Sequence, residues 1–144
     1  RYNCRLVATC QLLTAFAFTP DAAPTYIGAA KCKICHKVQY DSWLETKHAK
    51  ATEAAKASTE RKFEAACLSC HATNSDEALA GVQCEACHGA GSDYKSIQIM
   101  KDRQKAVAAG LVIPKQATCN GCHDGKDHHK QVAFDRDVVH KHKN

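Results

Sequence analysis

The sequence predicts a small, mainly α-helical fold with much irregular loop and little or no β-sheet. Three observations support this prediction. One five-residue pattern, Cys-x-x-Cys-His, occurs four times in 144 residues. Only nine side chains are aromatic, which is few for the core of a conventional domain of this length. Several stretches have helical spacing, whereas the only candidate for an extended segment lies at residues 6–18.

The elements follow in order along the chain. Pro20 and Pro24 mark residues 19–30 as a linker. Residues 37–58 contain strong helix formers and no Gly or Pro, which predicts one helix. A short helix is predicted at 60–66 and a third at 93–109, which Gly110 would end. One face of the first helix carries Tyr40, Trp43, Leu44, Lys47 and His48 at a spacing of three to four residues.

The repeated pattern is the attachment site for c-type haem, since its two thiols bond the porphyrin and the adjacent imidazole binds the iron. Chance would supply roughly 0.04 such patterns at this composition, so four copies exclude accident. Zinc sites and redox dithiols also use paired cysteines, but neither needs a histidine directly after the second one. A disulfide between cysteines three residues apart would be strained. We therefore expect a tetrahaem cytochrome c that carries electrons.

The predicted cofactors are four covalent haem c groups with their iron. The attachment cysteines are Cys32, Cys35, Cys67, Cys70, Cys84, Cys87, Cys119 and Cys122, and the proximal iron ligands are His36, His71, His88 and His123. A second ligand at each iron is expected from the five remaining histidines, which are His48, His128, His129, His140 and His142. Five candidate histidines for the second coordination positions of four irons predict bis-histidine ligation at every haem, with one of His128 and His129 left over. Met100, the only methionine, is expected to fill a gap in the packing.

The length predicts one domain, with the polypeptide folded around its cofactors so that the porphyrins supply much of the buried apolar surface. The formal charge is +5. Haem propionates would bring the loaded protein to about +1 when oxidised and about −3 when reduced, so no nucleic-acid partner is predicted. The motifs begin 35, 17 and 35 residues apart. The short central gap predicts that the second and third haems are neighbours.

Two regions are expected: residues 1–25 as an N-terminal apolar arm, and residues 26–144 as the tetrahaem domain. The arm resembles the start of an export signal, and it is too short and too polar for a transmembrane anchor. Haem attachment requires an exported chain, which predicts an extracellular or periplasmic protein. Cys4 and Cys10 would bond each other or bridge to another subunit, and either arrangement is favoured over two free thiols.

Beyond the motifs, residues 26–36, Tyr40-x-x-Trp43 and residues 48–51 resemble the opening of the cytochrome c-554 family of tetrahaem electron carriers. Residues 81–92 resemble that family's third haem site, and residues 134–142 resemble its C-terminal helix. The resemblance covers about residues 26–142. It implies that His48 is a distal ligand and that a C-terminal histidine, either His140 or His142, is another.

Two features depart from the family pattern. Ala90 stands where the family usually has proline, and no histidine occurs between His88 and His123, where relatives often place a distal ligand. Asp93 and Tyr94 stand there instead. One distal ligand must then come from the C-terminal cluster or from another molecule.

Three functions are compatible with these features. The arm, the missing local ligand and the surplus C-terminal histidines favour a homo-oligomer, as a protomer of an extracellular cytochrome filament similar to multihaem nanowires, with redox proteins or an extracellular electron acceptor as partners. The alternative is a soluble periplasmic electron shuttle with redox protein partners. An enzyme acting on nitrogen oxides or hydroxylamine is disfavoured, because catalysis needs an open iron face and spare histidines would close it.

Overall fold

The computed structural model describes residues 22–142. Within them, eight short α-helices are joined by turns and irregular loops, and β-pairing is limited to isolated bridges from Ala72 to Ala80 and Gly81. The prediction of a mainly helical, loop-rich fold is confirmed. The helices are α1 Ala29–Cys32, α2 Lys37–Leu44, α3 Ala51–Lys56, α4 Leu68–His71, α5 Cys84–His88, α6 Ile97–Met100, α7 Arg103–Ala108 and α8 Gln116–Asn120. Short 3-10 helices lie at Ala65–Cys67, Thr73–Ser75 and Glu77–Leu79.

The helix predicted over 37–58 is two helices, α2 and α3, separated by a turn. The Thr46 hydroxyl donates to the Trp43 carbonyl at 2.7 Å, which closes the end of α2. The Val82 N–H then donates to the His48 carbonyl at 2.8 Å, and the Trp43 indole donates to the Val82 carbonyl at 2.8 Å. These tertiary bonds hold the turn, so His48 lies between the two helices.

The helix predicted at 60–66 is wrong, apart from the 3-10 turn Ala65–Cys67 at its end. Glu64 is extended, with φ −133° and ψ 162°. The Arg61 guanidinium forms two bonds to the Asp127 carboxylate, at 2.9 and 2.6 Å, which tie this stretch to the loop after the fourth motif. The chain that leads into the second motif is therefore extended rather than helical, and the ion pair between Arg61 and Asp127 holds it against the loop after the fourth motif.

The helix predicted over 93–109 is likewise divided, into α6 and α7. Asp102 caps α7, because its carboxylate accepts from the Gln104 and Lys105 N–H groups at 3.0 and 3.1 Å. The stop predicted at Gly110 is confirmed. Its φ is +100°, and the Leu111 N–H returns to the Ala106 carbonyl at 2.9 Å, as in a Schellman ending.

Residues 134–142, expected from the resemblance to be helical, form turns. The Asp135 carboxylate accepts from the Asp137 N–H at 2.9 Å, a local bond that competes with a helical turn. The Lys141 N–H donates to the Ser42 hydroxyl at 2.9 Å and fastens the segment to α2. This expectation of a helix is wrong, although the segment does return to the body of the protein.

The buried apolar side chains are few. Among the described residues they are Ala29, Trp43, Leu68, Ala72, Tyr94 and Ala106. Large apolar side chains such as Ile34 and Val138 are 79% and 69% exposed. No helix within residues 22–142 is long and apolar enough to cross a membrane. The predicted arm, its extended segment, Cys4 and Cys10 lie outside the described residues, apart from the last four residues of the arm, and the domain boundary stays a prediction.

Candidate haem-attachment site

Each Cys-x-x-Cys-His motif is wound into about one helical turn. The His36 N–H donates to the Cys32 carbonyl at 2.9 Å, and the His123 N–H donates to the Cys119 carbonyl at 2.8 Å. The third motif is α5, and the second runs from the 3-10 helix Ala65–Cys67 through α4. Residues three and four apart share a helix face, so each motif presents two thiols and one imidazole to the same side. This arrangement fits attachment to a single porphyrin.

Three of the four proximal histidines are oriented by a backbone carbonyl. Nδ1 of His71 lies 3.1 Å from the Ala51 carbonyl oxygen, and Nδ1 of His88 lies 3.1 Å from that of Val112. Nδ1 of His123 lies 2.9 Å from the Lys130 carbonyl oxygen. A carbonyl accepts the proton of Nδ1 and leaves Nε2 as the nitrogen that binds a metal. His36 makes no such bond within residues 22–142.

Two of the predicted distal histidines face proximal ones. The ring centroids of His48 and His123 are 6.1 Å apart with an interplanar angle of 74°, and those of His88 and His140 are 6.1 Å apart at 45°. Metal–imidazole bonds are about 2 Å long, and the nitrogen stands about 1 Å from its ring centre, so two imidazoles on one metal have centroids about 6 Å apart. Both pairs match that spacing. The geometry therefore groups His48 with the fourth motif and His140 with the third.

The remaining candidates are grouped differently. The ring of His142 lies 4.1 Å from that of His140, and its Nδ1 is 3.0 Å from an Asp137 carboxylate oxygen. The rings of His128 and His129 lie 4.4 Å from each other. Their Nδ1 atoms lie 2.9 Å from an Asp127 oxygen and 3.1 Å from an Asp124 oxygen, respectively. In the part of the chain that the structure describes, neither His36 nor His71 has a ring contact with another histidine.

The surroundings of three of these imidazoles, His48, His88 and His140, lower their pKa and so favour the neutral form that binds metal. Burial lowers the pKa of His48, and the nearby His123 lowers it further. Burial also lowers the pKa of His88 and of His140. The backbone carbonyl to which each imidazole donates raises that pKa, but by less than burial lowers it. A neutral imidazole keeps the lone pair that an iron ion needs. The electrostatics of these sites therefore agree with their geometry.

The thiols show which motifs are neighbours. A hydrogen bond with Cys84 lowers the pKa of Cys32. Burial, and then a hydrogen bond with Cys70, raises the pKa of Cys122 to about 12. Burial raises the pKa of Cys87, and the charge of Cys119 raises it further.

Hydrogen bonds between thiols join the first motif to the third and the fourth to the second, and the charge of Cys119 in the fourth motif acts on Cys87 in the third. No such interaction among residues 22–142 joins the second motif to the third. The two motifs whose haems were predicted to be neighbours therefore have no contact between their thiols in the described part of the chain. Two successive 3-10 turns, Thr73–Ser75 and Glu77–Leu79, fold the short linker back on itself. Asn74 and Ser75 both have positive φ there, at 56° and 54°.

Buried threonines support the second and third motifs, and sequence reasoning missed them. The Thr52 hydroxyl donates to the His71 carbonyl and accepts from the Gly81 N–H at 2.7 Å. The Thr73 hydroxyl donates to the Gly81 carbonyl at 3.0 Å and accepts from the Gln83 N–H at 2.8 Å. Isolated threonines in loop-rich sequence give no signal, because their partners are backbone groups far along the chain.

A loop-rich helical scaffold with four such motifs defines the class of c-type cytochromes. Comparison with known proteins agrees: residues 31–89, which include the first three motifs, match the family described as cytochrome c554 and c-prime. The chain is 26% identical to cytochrome c-554 of Nitrosomonas europaea, over 83% of this chain and 68% of that protein.

The fold is also similar to a solved structure, the reduced state of cytochrome c554 from Nitrosomonas europaea. The TM-score is 0.58 at 24% identity, covering 81% of this chain and 77% of that one. These comparisons support the resemblance to the cytochrome c-554 family and show that the fold is shared.

Proposed function

We propose that this protein transfers electrons by means of four haem c groups attached at its Cys-x-x-Cys-His motifs. The observation that carries the proposal is the two pairs of facing imidazoles, His48 with His123 and His88 with His140, each with ring centroids 6.1 Å apart. When bound, haem c supplies reversible one-electron chemistry at its iron. The mass of the exported protein tests the proposal. We expect four haem additions and full reversible reduction, and fewer than four additions would contradict the count.

The chain's own residues fix the imidazoles at the third and fourth motifs. The carbonyls of Val112 and Lys130 orient the proximal rings, while the backbone bond from Val82 to His48 positions one distal ring. These imidazoles would hold the iron of a bound haem with little rearrangement between its oxidation states, and they would exclude other molecules from it. The two sites are therefore suited to electron transfer rather than to chemistry on a bound substrate.

The spatial order of the motifs places the first and the second at the ends of the series. The first motif lies near the surface, since Cys35 is exposed and the neighbouring Ile34 is 79% exposed. An exposed apolar residue beside an attachment site is typical of a surface where a redox partner docks transiently. We assign the first motif as one end at which electrons enter or leave.

We propose that the protein is not an enzyme. Carbon monoxide tests this, because it binds ferrous haem only where a face of the iron is open. We expect no binding at any of the four haems: His140 and His48 would cover the iron at the third and fourth motifs, and His128, His129 and His142 remain for the other two. Carbon monoxide bound at any haem would contradict the proposal.

The proposed setting is outside the cytoplasmic membrane, because attachment of haem to Cys-x-x-Cys-His takes place on an exported chain. A soluble shuttle is the setting that the paired imidazoles favour, since His48 and His140 supply distal ligands from the same chain. The partners would be redox proteins. Nucleic acid is not among them, because the propionates would offset most of the formal charge of +5.

A filament protomer is the second candidate. It is favoured by the absence of a ring contact to His36 and His71 among residues 22–142, because a histidine of another molecule would then complete the first or second site in place of His128, His129 or His142. In this arrangement residues 1–25 act as an arm between subunits and residues 26–144 as the tetrahaem domain. Light scattering and negative-stain microscopy of the native protein decide between the two settings. Monodisperse particles of one chain support the shuttle, and fibres support the filament.

A further inference from the structure

Glu85, inside the third motif, is a charged residue that attachment chemistry does not use. Its side chain is buried, with the residue 1% exposed. Its carboxylate accepts from three backbone N–H groups: Ile27 at 2.9 and 3.0 Å, Gly28 at 2.7 Å, and Gly91 at 2.7 Å. A Cβ atom at Gly91 would lie 2.9 Å from a Glu85 carboxylate oxygen, so a larger residue there would displace the carboxylate from its present position.

The Glu85 carboxylate has no cationic partner within residues 22–142. Only N–H dipoles stabilise it, and dipoles leave the net charge in place. Such a charge acts strongly on its surroundings, because a buried site is screened less than the surface. Glu85 therefore differs from the exposed carboxylates of the chain.

Two attachment motifs flank this charge. Ile27 and Gly28 directly precede α1, which ends at Cys32, and Glu85 itself follows Cys84. The field reaches both sides: burial raises the pKa of Tyr94, and the charges of Cys32 and Glu85 raise it further. Glu85 also opposes the lowering of the Cys32 pKa by the hydrogen bond with Cys84, although burial opposes it more. The carboxylate is thus placed between the first and third attachment sites.

We infer that Glu85 is a positioning residue that fixes the first motif against the third and lowers the reduction potentials of the two haems attached there. The inference rests on the proposed function. A fixed negative charge in a poorly screened interior favours the ferric state, which carries one more positive charge than the ferrous state. Haems attached at the second and fourth motifs would be affected less, because the Glu85 carboxylate is bonded only to segments beside the first and third motifs.

The test is Glu85→Gln in the holoprotein, followed by a spectroelectrochemical titration that resolves the four haems. The variant removes the charge and keeps one acceptor oxygen. We expect two potentials to rise and two to stay. The variants His140→Met and His48→Met identify the haems of the third and fourth motifs, respectively. One of the two potentials that rise must belong to the haem that His140→Met alters, and neither of them may belong to the haem that His48→Met alters. Glu60→Gln, which neutralises an exposed carboxylate, is the matched control and should move none.

Gln83→Glu tests the inference by adding a negative charge instead of removing one. It also decides the inference if the Glu85→Gln variant does not bind its haems. The Gln83 side-chain oxygen accepts from the Ala29 N–H at 2.7 Å, a bond that a carboxylate keeps while it adds a second charge. The substitution loses the bond that the Gln83 amide donates to the Ala80 carbonyl at 3.0 Å. The same two potentials should fall. Four haems with potentials that all stay, or all move equally, would overturn the inference, whereas an unsubstituted chain without haem would overturn the proposed function itself.

Discussion

The third and fourth motifs differ from the first and second in what the fold brings to them. His88 and His123 each have a carbonyl at Nδ1 and a second imidazole 6.1 Å away. His71 has the carbonyl alone, and His36 has neither among residues 22–142. All four motifs are nearly identical locally, so the difference arises from distant segments. A local motif therefore specifies attachment, whereas tertiary structure specifies the second ligand.

Removing an attachment site should give the largest effect. Replacing Cys119 and Cys122 with serine removes both thioether bonds of the fourth motif. We expect the holoprotein to lose one haem by mass and one bis-imidazole signal by electron paramagnetic resonance, because His48 and His123 then lack their shared iron.

The same double substitution at Cys67 and Cys70 is the control for the other region. It should also remove one haem, yet it should leave the signals of both imidazole pairs intact. Loss of either pair's signal in this control would show that the two regions are not independent.

Replacing Gly81 with alanine tests how the fold delivers His48. The Cβ atom would lie 2.5 Å from the Ala49 carbonyl oxygen, at a φ of +79°. We expect the free energy of unfolding to fall by about 3 kcal/mol, from backbone strain and overpacking together. The spectrum of the fourth haem should change as well, because Val82, the next residue, bonds the His48 carbonyl.

Gly110→Ala is the matched control, since Gly110 also has a positive φ of +100° but no atom within 4 Å of its Cβ position. It should cost only about 1 kcal/mol, the backbone strain alone. Equal losses of stability in the two variants would show that the close approach at Gly81 is unimportant.

Exchanging the distal ligand itself should have a narrower effect. In His48→Met, the thioether replaces an imidazole and should raise the potential of one haem while all four remain attached. A redox titration with visible spectroscopy measures this. Leu44→Met is the control, because it adds a thioether at an exposed position that is not a predicted ligand. Four unchanged spectra in His48→Met would show that His48 is not a ligand.

The sequence predicted local features well and tertiary ones poorly. The eight attachment cysteines and four proximal histidines follow from one pattern, and the stop at Gly110 follows from its freedom at positive φ. The breaks at Thr46 and Asp102 were missed because helix propensity outweighed single capping residues. Asp102 did carry a signal, since aspartate is a preferred N-cap. The extended stretch around Arg61 carried none, because its partner Asp127 lies far along the chain.

The distal histidines show the same difference between local features, which the sequence predicts, and tertiary features, which it does not. His48 was assigned from a family resemblance, and periodicity placed it only on a helix face, where in fact it lies in a turn. Between His140 and His142 the sequence left the choice open. The facing ring of His88 favours His140, while His142 packs against His140 and its Nδ1 lies beside Asp137. Ligand choice depends on distances that no local pattern contains.

Removing the cap of α7 should give the smallest effect of these substitutions. The effect should fall on the third motif and not on the fourth. Asp102→Ala loses two bonds to backbone N–H groups and should cost about 1 kcal/mol of unfolding free energy. Helix α7 leads through Gly110 to Val112, whose carbonyl orients His88. A small change in the signal of the His88 and His140 pair should therefore accompany the loss, measured by thermal unfolding and electron paramagnetic resonance. The His48 and His123 pair should not respond, and a change confined to that pair would contradict the assignment of α7 to the third motif.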